Sequence, residues 1–384
     1  MSDFLPREIF FEILLRLPHK ALLQCTTVCK SWNSMITSPN FITTHLNRTT
    51  LSYITNNNTP ADLLLLRQYF ESGNKERYSL RRDNETLRRY ARLEFPFESQ
   101  NPFFRIVGSC NGLLCLSDDF GFYTYTIILY NPSIRKSVTL PGPRVTFKTH
   151  GPYKFALGFG FDAKHNDHKV VRIANIQGPV GLEYIVPPIV QLYSVASGSW
   201  REIDSSAAPY EIIDRYWSQA FVNGAIHWLA SDRQYDNLIL SFDMGTEVFG
   251  TMKLPPCLVR SFVMDMSIKA FGESLLVVEY DGALFFRESC SIWVMKEYGV
   301  AESWSKRCTV SLRGGLGTAV ALRKKGEILM STDDGELVSY HPETQQTKDL
   351  GIHGTKDSFY VDNYMETLVL LNNSARDEES KNAD

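Results

Sequence analysis

The sequence has 384 residues, of which 43% are hydrophobic and 22% charged, with a formal net charge of −3. This composition is typical of globular proteins, and the length allows one large domain or two to three moderate ones. The near-balanced charge gives no sign of nucleic-acid binding, and no apolar run approaches the ~20 residues that span a bilayer. We therefore expect a protein of the cytoplasm, with the nucleus as a second compartment, that binds neither nucleic acid nor membrane.

Residues 7–17 have the pattern of a helix that is apolar over too much of its surface. At about 100° per residue, Glu8, Glu12 and Arg16 share a narrow stripe, and apolar side chains fill most of the remainder. An ordinary surface helix has an apolar face little wider than ~100°. We expect the helix to stop at Pro18. Because excess apolar area seldom stays bare in a soluble protein, the pattern predicts a partner surface.

More short helices are expected directly after this one. Residues 19–25 and about 26–36 have helical patterns, and Ser38 can cap a fourth helix that begins at Pro39. A lobe of about fifty residues buries a poor fraction of its surface and is marginal when alone. This is a second reason to expect that something covers the lobe.

From about residue 50 the sequence pattern changes from helical periodicity to short runs of β-branched and aromatic residues, separated by turn signals. One pattern recurs: a hydrophobic pair that ends in an aromatic residue, a turn, and a second strand. The aromatic residues lie 47 to 63 residues apart, at Tyr130, Tyr193, Phe242, Trp293 and Tyr340. Units of about fifty residues with about four strands each are typical of kelch-like β-propeller blades. We count five clear units, at 103–141, 155–203, 217–255, 263–312 and 316–350.

A sixth blade requires the two ends of the domain, because a propeller leaves no open sheet edge when its ring closes. Residues 359–371 contain the apolar stretch Leu368 to Leu371, which has the composition of a strand covered on both faces. We predict that it pairs with a blade built from about residues 51–70. A seventh blade would need further strands between residues 50 and 100.

Beyond these patterns, residues 2–46 resemble an F-box in the order and spacing of "LP", "ILLRLP", "VCKSW" and "THL". The resemblance implies binding to the Skp-type adaptor of SCF ubiquitin ligases, and through it to a cullin. It also implies which residues face the adaptor or shape that face: Leu5, Pro6, Ile9, Leu14, Leu17, Pro18, Val28, Cys29 and Trp32. The alternative that the residues alone leave open is a helical cap that packs only on the rest of the chain.

The remaining chain resembles the F-box-associated domain of large plant F-box families, through "GSCNGLLCL", "LYNPSIRK", "FVNGAIHWLA" and "ILSFDMGTEVF". The closing "METLVLLNN" is similar to the S-locus F-box group. We therefore expect a mainly β protein of three parts: a helical F-box at 1–48, a kelch-like propeller of about six blades at 49–373, and a disordered polar tail at 374–384. The resemblance implies a non-catalytic receptor that recruits a target protein, for which an S-RNase is the example that the S-locus group suggests.

Target-binding residues are expected on long irregular connections rich in aromatic residues. Three such stretches are 117–126, 177–188 and 210–217. Their aromatic side chains are Phe120, Phe122, Tyr123, Tyr125, Tyr184, Tyr210 and Tyr216. The competing interpretation is that these side chains fold back onto the blades, and the pattern does not say which rim of the propeller binds the target.

The alternative function is a kelch-type enzyme or a carbohydrate-binding propeller. Against it, the sequence has no nucleophile elbow, no zinc-protease motif and no phosphate loop. "HNDH" at 165–168 and the acid pairs at 118–119 and 333–334 fit turns better than metal sites. Trp200, Trp228, Trp293 and Trp304 fit inter-blade core better than a ligand box. Seven scattered cysteines fit reduced thiols. We expect no cofactor and no metal.

Overall fold

A computed structural model describes residues 6–55, 63–73, 75–119, 125–177, 188–204, 210–212, 219–262, 265–283 and 286–372. The chain begins with four helices, α1 (Arg7–Leu14), α2 (His19–Cys25), α3 (Lys30–Ile36) and α4 (Pro39–Thr55). Ser38 caps α4 as predicted, because its hydroxyl accepts the backbone N–H of Phe41 at 3.3 Å. Residues 51–54, which we expected in a strand, form the end of α4 instead.

The rest of the described chain forms six sheets that follow one another around a ring, which confirms the predicted six-bladed propeller. Blade 1 contains β1 (Leu63–Phe70), β2 (Lys75–Arg82), β3 (Arg89–Leu93) and β25 (Tyr360–Tyr364). Blade 2 contains β4 (Arg105–Cys110), β5 (Leu113–Ser117), β6 (Ile127–Asn131) and β7 (Lys136–Thr139). Blade 3, which follows the short helix α5 (Phe147–His150), contains β8 (Tyr153–Asp162), β9 (Asp167–Ile176), β10 (Ile189–Ser194) and β11 (Ser199–Ile203).

The other three blades repeat this antiparallel arrangement. Blade 4 contains β12 (Glu211–Ile212), β13 (Ala220–Val222), β14 (Ala225–Ser231), β15 (Asn237–Asp243) and β16 (Phe249–Lys253). Blade 5 contains β17 (Met266–Phe271), β18 (Ser274–Ala283), β19 (Phe286–Met295) and β20 (Trp304–Ser311). Blade 6 contains β21 (Leu316–Leu322), β22 (Ile328–Thr332), β23 (Glu336–His341) and β24 (Gln346–His353). The 3₁₀ turns Pro256–Leu258 and Ala301–Ser303 connect strands.

The ring closes through blade 1, whose inner strand comes from the end of the chain. β25 pairs with β1 in an antiparallel register that runs from Leu63↔Tyr364 to Arg67↔Tyr360. This pairing agrees with the prediction that residues 359–371 close the ring. However, the strand that pairs is Tyr360–Tyr364 and not the apolar stretch Leu368–Leu371. The apolar stretch Leu368–Leu371 lies after β25 in a turn. It is apolar because helices cover one side and blades the other, and a turn that is buried between two bodies has the same composition as a buried strand.

Tryptophan side chains lie between neighbouring blades, as the sequence predicted for all four, and three of them also form hydrogen bonds to the preceding blade. The indole N–H of Trp200 donates to the carbonyl of Pro141 at 2.7 Å, and that of Trp228 to Leu157 at 2.9 Å. Trp304 donates to Lys253 at 3.0 Å. Each bond crosses from one blade to the preceding one. Trp293 differs, because its buried N–H has no hydrogen-bond partner in the described part of the chain.

The two rims of the propeller differ in their connections. Tight hairpins at 111–112, 163–166, 223–224 and 272–273 lie at one rim, which we call the short-turn rim. The other rim, which we call the long-connection rim, carries the strand ends that flank the longer connections within blades. The strand ends that flank the links between blades lie there too. Asn111-Gly112 and Asn223-Gly224 have positive φ at both positions, which is the tight hairpin turn that Asn-Gly pairs favour.

A buried histidine in blade 3 gives a testable pH dependence. The His168 ring lies 4.7 Å from that of Phe161, and burial lowers its pKa from 6.5 to about 3. Above pH 6.5 the imidazole is neutral in both the folded and the unfolded chain. As the pH falls toward 3, only the unfolded chain takes up the proton, so the free energy of unfolding decreases. Between pH 7 and pH 5, protonation of this one group in the unfolded chain should lower the free energy of unfolding by roughly 2 kcal/mol.

We expect His168→Phe to remove that part of the acid sensitivity without loss of stability at pH 7. Urea unfolding at pH 7 and pH 5 measures both quantities. His19 and His227, whose pKa values burial lowers to about 4, should account for part of the loss that remains. An equal loss of stability in the variant and the parent would show that His168 does not contribute.

Candidate functional site

The four helices present an apolar face to solvent. Ile9 is 45% exposed and Ile13 48% exposed, one helical turn apart on α1, and Val28 before α3 is 63% exposed. Residues four apart lie on the same side of a helix, so Ile9 and Ile13 form one surface. Exposed apolar side chains grouped on a small lobe are a feature of partner-binding surfaces.

The inner side of the same helices packs on the propeller. Leu14, Leu22, Ile36 and Phe41 are buried in one cluster that also contains Leu368 from the segment after β25. The predicted excess of apolar surface on the helices is therefore divided into two parts. Part of it is covered by the chain's own end, and the part around Ile9 and Ile13 is left exposed.

Polar contacts fix the helices to the short-turn rim. The Asn131 side-chain amide donates to the carbonyls of Thr367 at 3.1 Å and Val369 at 2.8 Å, and Asn166 donates to the Thr43 hydroxyl at 2.8 Å. Gly112 allows the close approach, since a Cβ at this position would lie 2.5 Å from the carbonyl oxygen of Met365. The lobe thus sits on the rim opposite to the long connections.

An imidazole and a carboxylate meet at this joint. The His19 Nε2 lies 3.4 Å from Glu366 Oε1. Burial, with nearby Lys20 and His45, lowers the pKa of His19 to about 4, and burial raises the pKa of Glu366. Lys20 also lies over the Tyr90 ring of β3, 5.2 Å from its centre. At neutral pH the imidazole is therefore uncharged, and the contact does not act as an ion pair.

Comparison with known proteins agrees with both parts of this architecture. A model of the F-box associated beta propeller domain matches residues 76–377, and an F-box-like model matches residues 2–48. The chain belongs to the F-box proteins with an F-box associated beta propeller domain. The first match covers most of the chain, and it includes all strands from β3 to β25.

Several relatives from Arabidopsis thaliana are similar over nearly the whole F-box chain. F-box protein At3g07870 is 29% identical over 407 residues, which cover 94% of this chain and 90% of the relative. F-box protein CPR1 is 27% identical over 391 residues, which cover 95% and 89%. F-box/kelch-repeat protein At3g23880 is 28% identical over 316 residues, which cover 80% and 79%. These likenesses do not single out the S-locus group.

The F-box residues predicted to meet the adaptor have different positions in the structure. Ile9 and the other exposed members, Pro6, Pro18, Val28 and Cys29, have side chains open to solvent. Leu17 and Trp32 are half-buried against the helical core, and Leu14 is only 1% exposed. Leu14 can therefore shape the face but cannot contact a partner in this conformation. Leu5 lies outside the described residues.

Ile13 is the exposed residue that the sequence prediction omitted. It is one turn after Ile9 on α1, so the 3.6-residue period alone places it on the same face. The family motif, rather than the helical period, had selected the set of predicted contacts. We define the helical face as Ile9, Ile13 and Val28.

Most of the residues predicted to bind the target lie outside the described part of the chain: Phe120, Phe122, Tyr123, Tyr184 and Tyr216. The two that are described are half-buried. The Tyr125 hydroxyl accepts the backbone N–H of Phe147 at 3.0 Å, and Tyr210 packs on the core between blades 3 and 4. Both support the blades, as the competing interpretation held. All three predicted stretches begin at strand ends of the long-connection rim.

A cavity of about 860 Å³, which we call the axial cavity, is lined by inner-strand residues of blades 1, 2, 4, 5 and 6. Its charged lining residues include Arg67, Arg105, Lys269, Arg323 and Asp362. Two of these cations have acidic partners. Arg105 pairs with Asp119 at 2.7 Å, and Arg323 pairs with Asp83 at 2.6 Å.

The other polar motifs of the sequence have structural roles. His165 lies in the tight turn 163–166 and contacts Asp162 at 2.7 Å, and the same carboxylate binds the Lys169 ammonium. Asp118 was expected in a solvated turn, but it is 3% exposed and accepts hydrogen bonds from Ser99 and Asn101. In the part of the chain that is described, no group of three or more His, Cys, Asp or Glu side chains could hold a metal ion. Nor does that part contain a helix that is long and apolar enough to cross a membrane.

Proposed function

We propose that this chain is the substrate-recognition subunit of an SCF-type ubiquitin ligase. The observation that carries the proposal is the helical face of Ile9, Ile13 and Val28, which is exposed on a lobe that matches the F-box-like model. A Skp-type adaptor would cover this face and connect the chain to a cullin. The propeller would hold a target protein.

The mechanism is proximity rather than chemistry by the chain's own residues. Tethering a target raises its effective concentration near the ubiquitin-charged enzyme of the complex. The position of the helices supports this arrangement, because the lobe occupies the short-turn rim and leaves the long-connection rim open. The complex would work in the cytoplasm, and also in the nucleus if its target is there.

An S-RNase target rests on the likeness of "METLVLLNN" to the S-locus group. In the fold, residues 365–372 of this motif lie between the helices and blades 1 and 2, where Thr367 and Val369 accept bonds from Asn131. A segment with this role joins two parts of the chain and does not face a target. The motif is therefore weak support for one class of target, and the S-RNase remains one hypothesis among protein targets.

Complex formation tests the proposal directly. We expect the full chain, co-expressed with a Skp-type adaptor and a cullin, to elute from a sizing column as one stoichiometric complex. A chain that is folded by circular dichroism and elutes apart from the adaptor would contradict the proposed function.

A further inference from the structure

The axial cavity contains an arginine whose hydrogen-bonding capacity is not used. Arg67 is on β1, three residues before the strand ends at the long-connection rim, and it lines the cavity. Its side chain is 7% exposed, yet Nε and Nη1 have no hydrogen-bond partner among the described residues. Buried guanidinium groups nearly always have acceptors, because an unsatisfied charged donor costs the full desolvation of the group.

Aromatic side chains hold this arginine in place without satisfying its donors. The Arg67 guanidinium lies over the Phe103 ring, 4.6 Å from its centre, and the Phe103 and Tyr69 rings are 5.0 Å apart. A ring face attracts a cation but accepts no strong hydrogen bond. The guanidinium plane is therefore positioned by the ring, while its buried Nε and Nη1 donors are left without an acceptor among the described residues.

The nearby acidic groups are already engaged. Glu76 Oε1 accepts the Tyr78 hydroxyl at 2.9 Å, and its Oε2 accepts the backbone N–H of Phe104 at 3.2 Å. On the neighbouring strand β25, Asp362 accepts the Tyr360 hydroxyl at 2.9 Å. Burial raises the pKa of both carboxyl groups. Among the described residues, neither Glu76 nor Asp362 forms a salt bridge with Arg67. The two carboxyl groups therefore do not accept hydrogen bonds from its guanidinium.

A second cation faces the same cavity. Lys269 on β17 makes no hydrogen bond or salt bridge to another described residue, and burial lowers its pKa, which the charge of Asp362 partly offsets. Charge-assisted bonds from arginine to a carboxylate or phosphate are about twice as strong as neutral ones. An anionic group is therefore the ligand chemistry that best completes this site.

We propose that Arg67 receives an anionic group, a carboxylate or a phosphate, that enters the axial cavity from the long-connection rim. As a deepening of the proposed function, this group belongs to an acidic segment of the target protein. The alternative source is a free anion such as inorganic phosphate. Both use the same chemistry at Arg67, and the experiment separates them.

The test measures binding of two probes to the full chain at low salt by calorimetry. The probes are a blocked tetra-aspartate peptide, with the tetra-asparagine peptide as its neutral counterpart, and inorganic phosphate. Arg67→Gln should weaken peptide binding at least tenfold. Arg77→Gln is the matched control, because Arg77 on β2 also lies over a ring, that of Phe70 at 4.6 Å, but does not line the cavity. The control should change binding less than twofold.

Stability separates a ligand-binding role from a structural one. If the donors of Arg67 wait for a ligand, Arg67→Met should melt no lower than the parent, because it removes a buried cation without hydrogen-bond partners. A lower melting temperature for Arg67→Met would assign the arginine to the fold and overturn the proposal. Equal peptide binding by Arg67→Gln and the parent would also overturn it. Phosphate binding that depends on Arg67, without peptide binding, would support the anion site and overturn the target segment as its source.

Adaptor binding is measured on the same variants, so that the two proposals can fail separately. Arg67 lines the axial cavity on the side of the long-connection rim, and the helices lie on the short-turn rim, so Arg67→Gln should co-elute with the adaptor as the parent does. Loss of peptide binding with adaptor binding intact supports the anion site. An adaptor that does not bind even the parent contradicts the proposed function and leaves the peptide measurement valid.

Discussion

A chain that ends at Gly351 is expected to aggregate instead of folding. The cut removes β25 and with it the inner strand of blade 1, which pairs with β1 over five residues from Leu63 to Arg67. It also removes Leu368, which belongs to the core of the helices. Two sheet edges and an apolar helix surface would then be exposed together, and open edges pair with other chains. Solubility and circular dichroism after expression measure the effect.

A chain that ends at Asn373 is the matched control and should keep the parent's melting temperature, because residues 374–384 are polar in sequence. A point variant tests closure without a deletion. Tyr364 on β25 is 2% exposed and its hydroxyl lies 2.8 Å from that of Ser133 in blade 2. Tyr364→Ala should cost ~3–5 kcal/mol, as for other buried aromatic side chains. Asn363→Ala, at an exposed neighbour on the same strand, should cost little. A soluble, fully stable chain ending at Gly351 would show that β25 does not close the ring.

Blade number and order could be predicted from the sequence because each blade repeats the same local chemistry. Asn-Gly pairs force tight hairpins, and apolar runs such as Leu113–Ser117 form strands that are buried on both faces. The tryptophan anchors recur because each blade must contact the preceding one. These signals are local, and a single sequence contains several copies of them.

The joint between helices and propeller could not be predicted, because its signals are not local. Leu368–Leu371 is buried by helices more than three hundred residues away, and composition does not distinguish that burial from a strand. The continuation of α4 through Thr55 was also missed, since β-branched and aromatic residues suggested a strand there. Asp118 was taken as exposed because its partners Ser99 and Asn101 lie in the irregular link before β4, and two strands separate them from Asp118 in the chain.

The candidate site was predicted in outline but not residue by residue. The helical wheel indicated surplus apolar surface, and that surplus is present at Ile9 and Ile13. A wheel shows which side chains share a face, but it does not show which face a distant segment will cover. Leu14 is buried for that reason. The position of Arg67 in the cavity could not be predicted from the sequence. An arginine in a strand is expected at a sheet edge or on the surface, and only closure of the ring places Arg67 in a cavity.

Ile13→Asp is expected to weaken adaptor binding at least tenfold while the chain stays folded. Ile13 is 48% exposed, so an aspartate there meets solvent in the free chain but would be desolvated in the complex. Interface anchors at the centre of a small contact can contribute this much binding energy. Leu14→Ala, the adjacent residue, should behave in the opposite way. Leu14 is 1% exposed, so truncation should cost ~2–5 kcal/mol of stability.

The pair is measured by adaptor titration and by thermal unfolding of the free chain. Val248→Asp is the control, because Val248 is an exposed apolar residue, 58% accessible, on a hairpin of blade 4. It should change neither quantity. If Ile13→Asp bound the adaptor as tightly as the parent, the exposed side of α1 would not be the contact. If Leu14→Ala lost binding without loss of stability, the assignment of the buried and binding sides of α1 would be wrong. The adaptor would then contact the side of α1 that Leu368 covers.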